Sequence, residues 1–383
     1  MAAEFTGKQS TTRAERIPSL DGLRAVSIVL VLLAHLVGTR SSPLTLAAGN
    51  LLALGELGVH VFFVISGFLI TRLLLEEIGS TGRISLTNFY FRRTMRIFPA
   101  YYAFLLVLFV LALSNVVQLA PRDLSHALTY TSNYYAGRSW FVGHTWSLSV
   151  EEQFYLLWPA VVVLAGRRRA LVIAACAVLI APMVRTASWE LMRWSGDGIG
   201  HRFETVADAI AIGCVLAGAR DWMHRQPLYR RVLESSWFVV VPCLAVAGSL
   251  LHDHPVAHFL IGMSVMNAAM VVTLDWCVTF GSGRVGRALN CAPLVFVGTI
   301  SYSLYLWQQL FLNRTAANAM STFPVNIALA VAAALASYYL VEQPSLRLRR
   351  RLETSWRRPA SAPGSRLSGR ELHDEHILTE GAL

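Results

Sequence analysis

Stretches of about twenty mostly apolar residues recur along this chain from residue 24 to residue 342, and they leave few folds open. In lipid every backbone N–H and C=O must be satisfied within the segment, so such stretches fold as helices. Ten are predicted: 24–40, 57–75, 99–118, 149–166, 170–186, 204–219, 236–252, 256–280, 292–313 and 323–342. The expectation is an all-α polytopic membrane bundle of about ten transmembrane helices. Composition agrees, since 15% of the 383 residues are charged where a soluble domain carries about 25%.

Basic residues set the expected orientation. With the N-terminus in the cytoplasm, 26 of the 33 basic residues fall on inner segments. The outer loops hold seven: Arg40, Arg122, Arg138, Arg185, Arg193, Arg202 and Arg314. That bias predicts an even number of spans in the plasma membrane, with both termini cytoplasmic. It also accounts for the net charge of +10 without a nucleic-acid partner. Residues 1–18 read as a short polar cytoplasmic segment without a signal peptide. Residues 19–350 read as the membrane domain, and 351–383 as a disordered cytoplasmic tail. The five cysteines are scattered with no CxxC, so neither a disulfide framework nor a metal site is expected. Gly281 to Gly286 matches a dinucleotide fingerprint by letter, but it lies in a short loop outside any βαβ unit.

Ionisable groups inside spans are costly and mark functional sites. His35 lies in the first span, behind Leu20-Asp21-Gly22-Leu23-Arg24. On an ideal helix Arg24 and His35 fall within roughly 20° of one face, about 16 Å apart along the axis, with Asp21 about 40° to the other side. One stripe then carries an acid, a cation and an imidazole, which suits proton transfer. The fourth span opens with Trp146-Ser147-Leu148-Ser149-Val150-Glu151-Glu152-Gln153-Phe154-Tyr155. Glu151 and Tyr155 are one turn apart, and a carboxylate near His35 would set its tautomer. Arg92, Arg93 and Arg96 form a cationic cluster, either a fork for phosphate or a topology signal resting on lipid headgroups. Gly58, Ser66 and Gly67 in the second span serve close helix packing or the approach of a ligand. In the ninth span Ser301, Tyr305 and Gln308 share a face, with Tyr302 beside them, as a pore lining or an interhelix hydrogen-bonding stripe.

Taken in order, these segments resemble the acyltransferase type 3 family of multi-spanning membrane proteins. The resemblance rests on Leu20 to Ala25 with ten residues between Arg24 and His35, and on Gly58 to Thr71. It continues through the Arg93/Arg96/Pro99/Tyr101 run, Trp146 to Tyr155, Ser301 to Trp307 and Val341-Glu342-Gln343-Pro344, covering about residues 16–350. It implies an acyl-CoA donor, acetyl-CoA foremost, as a passing substrate with no permanently bound cofactor. It implies as acceptor a hydroxyl of a sugar, a glycan or a secondary metabolite such as a macrolide. His35 would be the essential histidine, Arg24 its paired basic residue with Asp21 beside them, and Glu151 the acid of the fourth span. Arg93 and Arg96, with Arg92, would hold the donor. Ser66, Tyr155, Tyr302 and Gln308 are the candidate substrate-binding residues. His60 stands where many relatives carry an acid, and Gln308 where many carry a second histidine.

From the residues alone, a proton-coupled transporter of a small polar solute would use the same histidine, arginines and glutamate. The motifs favour the enzyme. His35 is then expected to act as general base toward the acceptor hydroxyl, or through a transient acyl-imidazole. The expected partners are acyl-CoA, a hydroxylated carbohydrate or natural product, and the lipid bilayer.

Overall fold

The computed structural model describes residues 17–44, 50–191, 198–316 and 318–357. Residues 1–16 of the expected N-terminal segment, and the expected tail from 358 onward, lie outside the described residues. Within them the chain is all-α, and the one isolated bridge pairs Arg40 with Thr322.

Helix α1 (Pro18–Leu36) starts on a proline, where the missing N–H costs nothing, and Asp21 in its first turn faces the positive end of the dipole. Helices α2 (Asn50–Thr81) and α3 (Leu86–Leu113) follow, and Ser85 caps α3 by accepting the Asn88 N–H. Short α4 (Asp123–Leu128) leads to α5 (Thr145–Leu191). Helix α5 takes up two of the predicted spans, which meet at Gly166, whose φ of 76° a side chain would strain. Next come α6 (Phe203–Met223), α7 (Pro227–Glu234) and α8 (Val240–Ser249). Helix α9 (Pro255–Ala257) passes through a π turn at His258–Gly262 into α10 (Met263–Thr279). After α11 (Arg284–Leu289), α12 (Ala292–Thr299) and α13 (Ser301–Phe311) are separated by a break at Ile300. Helix α14 (Val325–Ser337) runs through a second π turn into α15 (Gln343–Arg357), so residues 351–357, expected in the tail, are helical.

Among the described residues, six helical stretches are long and apolar enough to cross a membrane: Ser19–Leu36, Asn50–Thr81, Leu86–Leu113, Trp140–Leu191, Pro255–Thr279 and Val325–Ser355. The chain is a multi-pass membrane protein, and the expected count of about ten spans is not reached on that measure. The stretches that fall short have visible reasons. Residues 236–252 fall largely on the short α8, 292–313 is broken at Ile300, and 204–219 carries Glu204 and Asp208 early in α6. Arg185, expected in an outer loop, is instead wholly buried in α5. It donates to Asp208 Oδ2 at 2.8 Å, to the Thr205 and Phe259 carbonyls at 3.0 Å, and to Ser264 Oγ at 3.0 Å.

The second span resolves into two roles. A methyl at Gly67 would overlap the Ile210 carbonyl of α6, so Gly67 lets two backbones touch. Ser66, one residue earlier and about 100° round the helix, faces the polar interior described next.

Candidate active site

Helices α1, α2, α3, α5, α12 and α13 enclose a recess whose empty volume, counted out to its open mouth, is about 920 Å³. Arg24 from α1, with Arg93 and Arg96 from α3, supplies its cationic wall, and Glu151 and Glu152 from α5 supply its acidic one. The Tyr155 hydroxyl donates to Ser66 Oγ at 3.0 Å, and Ser66 Oγ donates to Glu151 Oε1 at 2.6 Å. The Arg93 guanidinium sits over the Tyr155 ring, 4.8 Å from its centroid, a cation–π contact. Arg24 donates to Asp21 at 3.2 Å. Tyr302 also lines the recess, and its hydroxyl donates to the Ile97 carbonyl at 3.0 Å. Planar guanidinium forks in a recess also lined by Val59, Phe62, Phe63 and Leu69 suit a ligand that is anionic at one end and thin at the other.

Arg92 does not join this wall. It is turned about 100° from Arg93 on the same helix, and it pairs with Glu353 of α15 at 3.0 Å.

His35 belongs to a second cluster. Its Nε2 lies 3.1 Å from Nε2 of Gln309 on α13. Gln309 Oε1 in turn accepts the backbone N–H of His144 at 2.9 Å and lies 2.7 Å from its ring Nδ1. Trp140 presents its ring edge-on to His35, with centroids 5.6 Å apart, and donates its indole N–H to the Gln309 carbonyl. Arg314 donates to the Ala34 carbonyl at 2.7 Å and lies over Trp140. Gln308 is buried here as well, within reach of the His35 ring. The face predicted on α13 is therefore divided, with Ser301 and Tyr305 on the recess and Gln308 in the histidine cluster. Tyr305 joins the two sites: it lines the recess, and its hydroxyl lies 2.6 Å from Ser147 Oγ and donates to the His144 carbonyl at 3.1 Å.

The expected pairing of Glu151 with His35 does not form. Glu151 is bonded by Ser66 and has Arg93, Arg24 and Arg96 as its charged neighbours. Depth explains this: Glu151 stands at the level of Arg24, and His35 is eleven residues further along α1, about 16 Å on. Sequence reasoning missed His144 and Gln309. His144 precedes residue 149, where the predicted fourth span begins, and so lay outside every span predicted from the sequence. The signal for Gln309 was the Gln308-Gln309 doublet inside an apolar helix. Among the described residues, no group of three or more His, Cys, Asp or Glu side chains is placed to hold a metal.

A family model described as an acyltransferase domain, that of the type 3 acyltransferases, matches residues 17–342. The chain belongs to the acyltransferase type 3 family. It is similar to the peptidoglycan O-acetyltransferase OatA of Listeria monocytogenes, with 25% identity over 364 residues that cover 87% of this chain and 55% of the relative. It is also similar to the O-acetyltransferase OatA of Staphylococcus aureus, with 27% identity over 360 residues that cover 86% and 57%. The chain thus spans about half the length of these curated relatives. No solved structure matches it. The family match lends no support to the transporter reading.

Proposed function

We propose that this type 3 family member is a membrane O-acyltransferase that moves a short acyl group, acetyl foremost, from acyl-CoA to a hydroxyl of a glycan. The observation that carries the reading is the recess itself. Arg24, Arg93 and Arg96 face one cavity that runs toward Tyr305, and Tyr305 touches the backbone of the histidine cluster. The arginines fit the donor's phosphates in bidentate fashion. The thin pantetheine arm lies along the apolar side of the recess, and past Tyr305 the thioester meets His35 and His144. There the acceptor oxygen bonds the acyl carbon and the carbon–sulfur bond breaks toward sulfur. The thiolate leaves, and the hydroxyl proton passes to an imidazole. The glycan acceptor follows the Listeria monocytogenes relative, which is named for peptidoglycan, and neither relative is named for a natural-product acceptor. The basic bias supports an arginine end on the cytoplasmic side, with both termini there.

The test is purified protein in lipid vesicles, given labelled acetyl-CoA and a panel of glycan acceptors. Label recovered as an O-ester on the glycan is the expected result. Solute uptake into those vesicles without ester formation would overturn the proposal.

A further inference from the structure

The hydrogen bonds of the histidine cluster fix where its protons are, and the consequence deepens the acyltransferase reading, on which it rests. A backbone N–H can only donate, so the Gln309 atom accepting from the His144 amide at 2.9 Å must be the carbonyl oxygen Oε1. Nδ1 of His144, 2.7 Å from that same oxygen, must then carry a proton. The other end of Gln309 is an NH₂ group, which can only donate, so His35 Nε2 at 3.1 Å must accept. His35 is thereby held neutral with its proton on Nδ1. Protonating Nε2 would set two N–H groups against each other.

Two ring atoms are left over. His35 Nδ1–H is buried and makes no hydrogen bond, and neither does His144 Nε2, on a residue 2% exposed. The Gln308 amide beside the His35 ring is likewise buried and unengaged at both its nitrogen and its oxygen. Buried polar atoms ordinarily have partners, so these unengaged donors and acceptors, gathered in one cluster, point to a ligand carrying a hydroxyl or a carbonyl.

We infer that Gln309 is a positioning residue that holds His35 as a hydrogen-bond donor through Nδ1, and leaves Nε2 of His144 as the nitrogen that receives the acceptor's proton. His35 steadies the reacting oxygen, while His144 takes the hydroxyl proton as that oxygen bonds the acyl carbon. The proton then returns to the thiolate as sulfur departs.

The donor role separates two variants that a base role does not. The amide of asparagine places an NH₂ close to the position of Nδ1, and that of glutamine places it close to Nε2. His35→Asn is expected to keep turnover within about tenfold, and His35→Gln to lose about a hundredfold or more, the usual cost of removing one oriented donor. His144→Asn and His144→Gln should both lose at least a hundredfold, with the KM for acetyl-CoA unchanged in each variant. Two inactive His35 variants would return His35 to the base role, and two active ones would reduce it to packing; either result overturns the inference.

A spectroscopic readout stands apart from activity. In protein labelled with ¹⁵N-histidine, nitrogen shifts should report the Nδ1–H tautomer for both rings. In Gln309→Glu the carboxylate accepts from both, so the His35 proton should move to Nε2 while His144 keeps its own. An Nε2–H tautomer for wild-type His35, or no change in Gln309→Glu, sinks the proposal even where acyl transfer is intact. The expected tautomers in protein that transfers nothing would leave the inference standing and remove the proposed function instead.

Discussion

Arg92, Arg93 and Arg96 read alike in the sequence and differ in the structure, because successive residues on a helix point in different directions. Arg93 and Arg96 line the recess, and Arg92 turns to Glu353. Charged hydrogen bonds to phosphate are worth about 1.5–3 kcal/mol each. Arg93→Ala and Arg96→Ala should therefore each raise the KM for acetyl-CoA by roughly tenfold or more, with kcat much less affected. Arg92→Ala should leave that KM within about twofold, because it breaks only an exposed ion pair. Steady-state kinetics at matched membrane levels decides, and a KM shift confined to Arg92→Ala would reverse the assignment. Arg93→Lys should rescue only in part, since a lysine ammonium keeps the charge but loses the planar fork and its stacking on Tyr155.

At the scale of elements, Arg185 locks α5 to α6 through Asp208, and both side chains are almost fully buried, at 0% and 2% exposed. Removing one partner of a buried pair leaves an uncompensated charge, a loss of about 3–5 kcal/mol. Arg185→Met should therefore lower the thermal midpoint strongly. Adding Asp208→Leu should recover much of the loss, since the orphaned carboxylate goes with it. A double variant no more stable than the single one would mean that the bonds of Arg185 to the Thr205 and Phe259 carbonyls carry the joint.

His201 offers a pH test outside the spans. Burial, with Arg138 beside it, pushes its imidazole down to about 4. In the unfolded chain the ring takes up a proton near 6.5. The folded form, which stays neutral, should lose stability as pH falls from about 6.5 toward 4, and should show no further change from this group above 6.5. Thermal melts across that window should show the slope, and His201→Gln should flatten it. A wild-type melt level from pH 7 to pH 4 would show that His201 gains no such pKa difference on folding. Trp146 lies 4.3 Å from the His201 ring, so its fluorescence is a local probe of the same event.

For the whole molecule, orientation in the membrane is directly measurable. Reporter fusions after residues 85, 168 and 225 should report cytoplasm, and one after residue 130 should report the outside. The charge bias supports that order. A well-expressed fusion on the wrong side would break the proposed route from a cytoplasmic donor to the histidine cluster.

Much of this was legible in the sequence, because membrane helices are written locally. Backbone satisfaction in lipid forces apolar stretches into helices, so the all-α class and the main spans follow from hydropathy alone. The His35, Arg24, Arg93 and Glu151 candidates were legible for the same reason, since an ionisable residue stands out in an apolar window. Which candidates meet was settled only by packing. Periodicity puts Arg24 and His35 on one face of α1, but it does not say that α3 and α5 approach that face at Arg24 and that α13 reaches it at Gln309. Nor does it say that the loop before α5 folds back so that His144 meets Gln309, because contacts between residues 165 positions apart are set by how helices cross. Composition and spacing determined the solvent, the helices and the candidate side chains; the crossing of those helices alone decided that the acid lies among the arginines and that an amide joins the histidines.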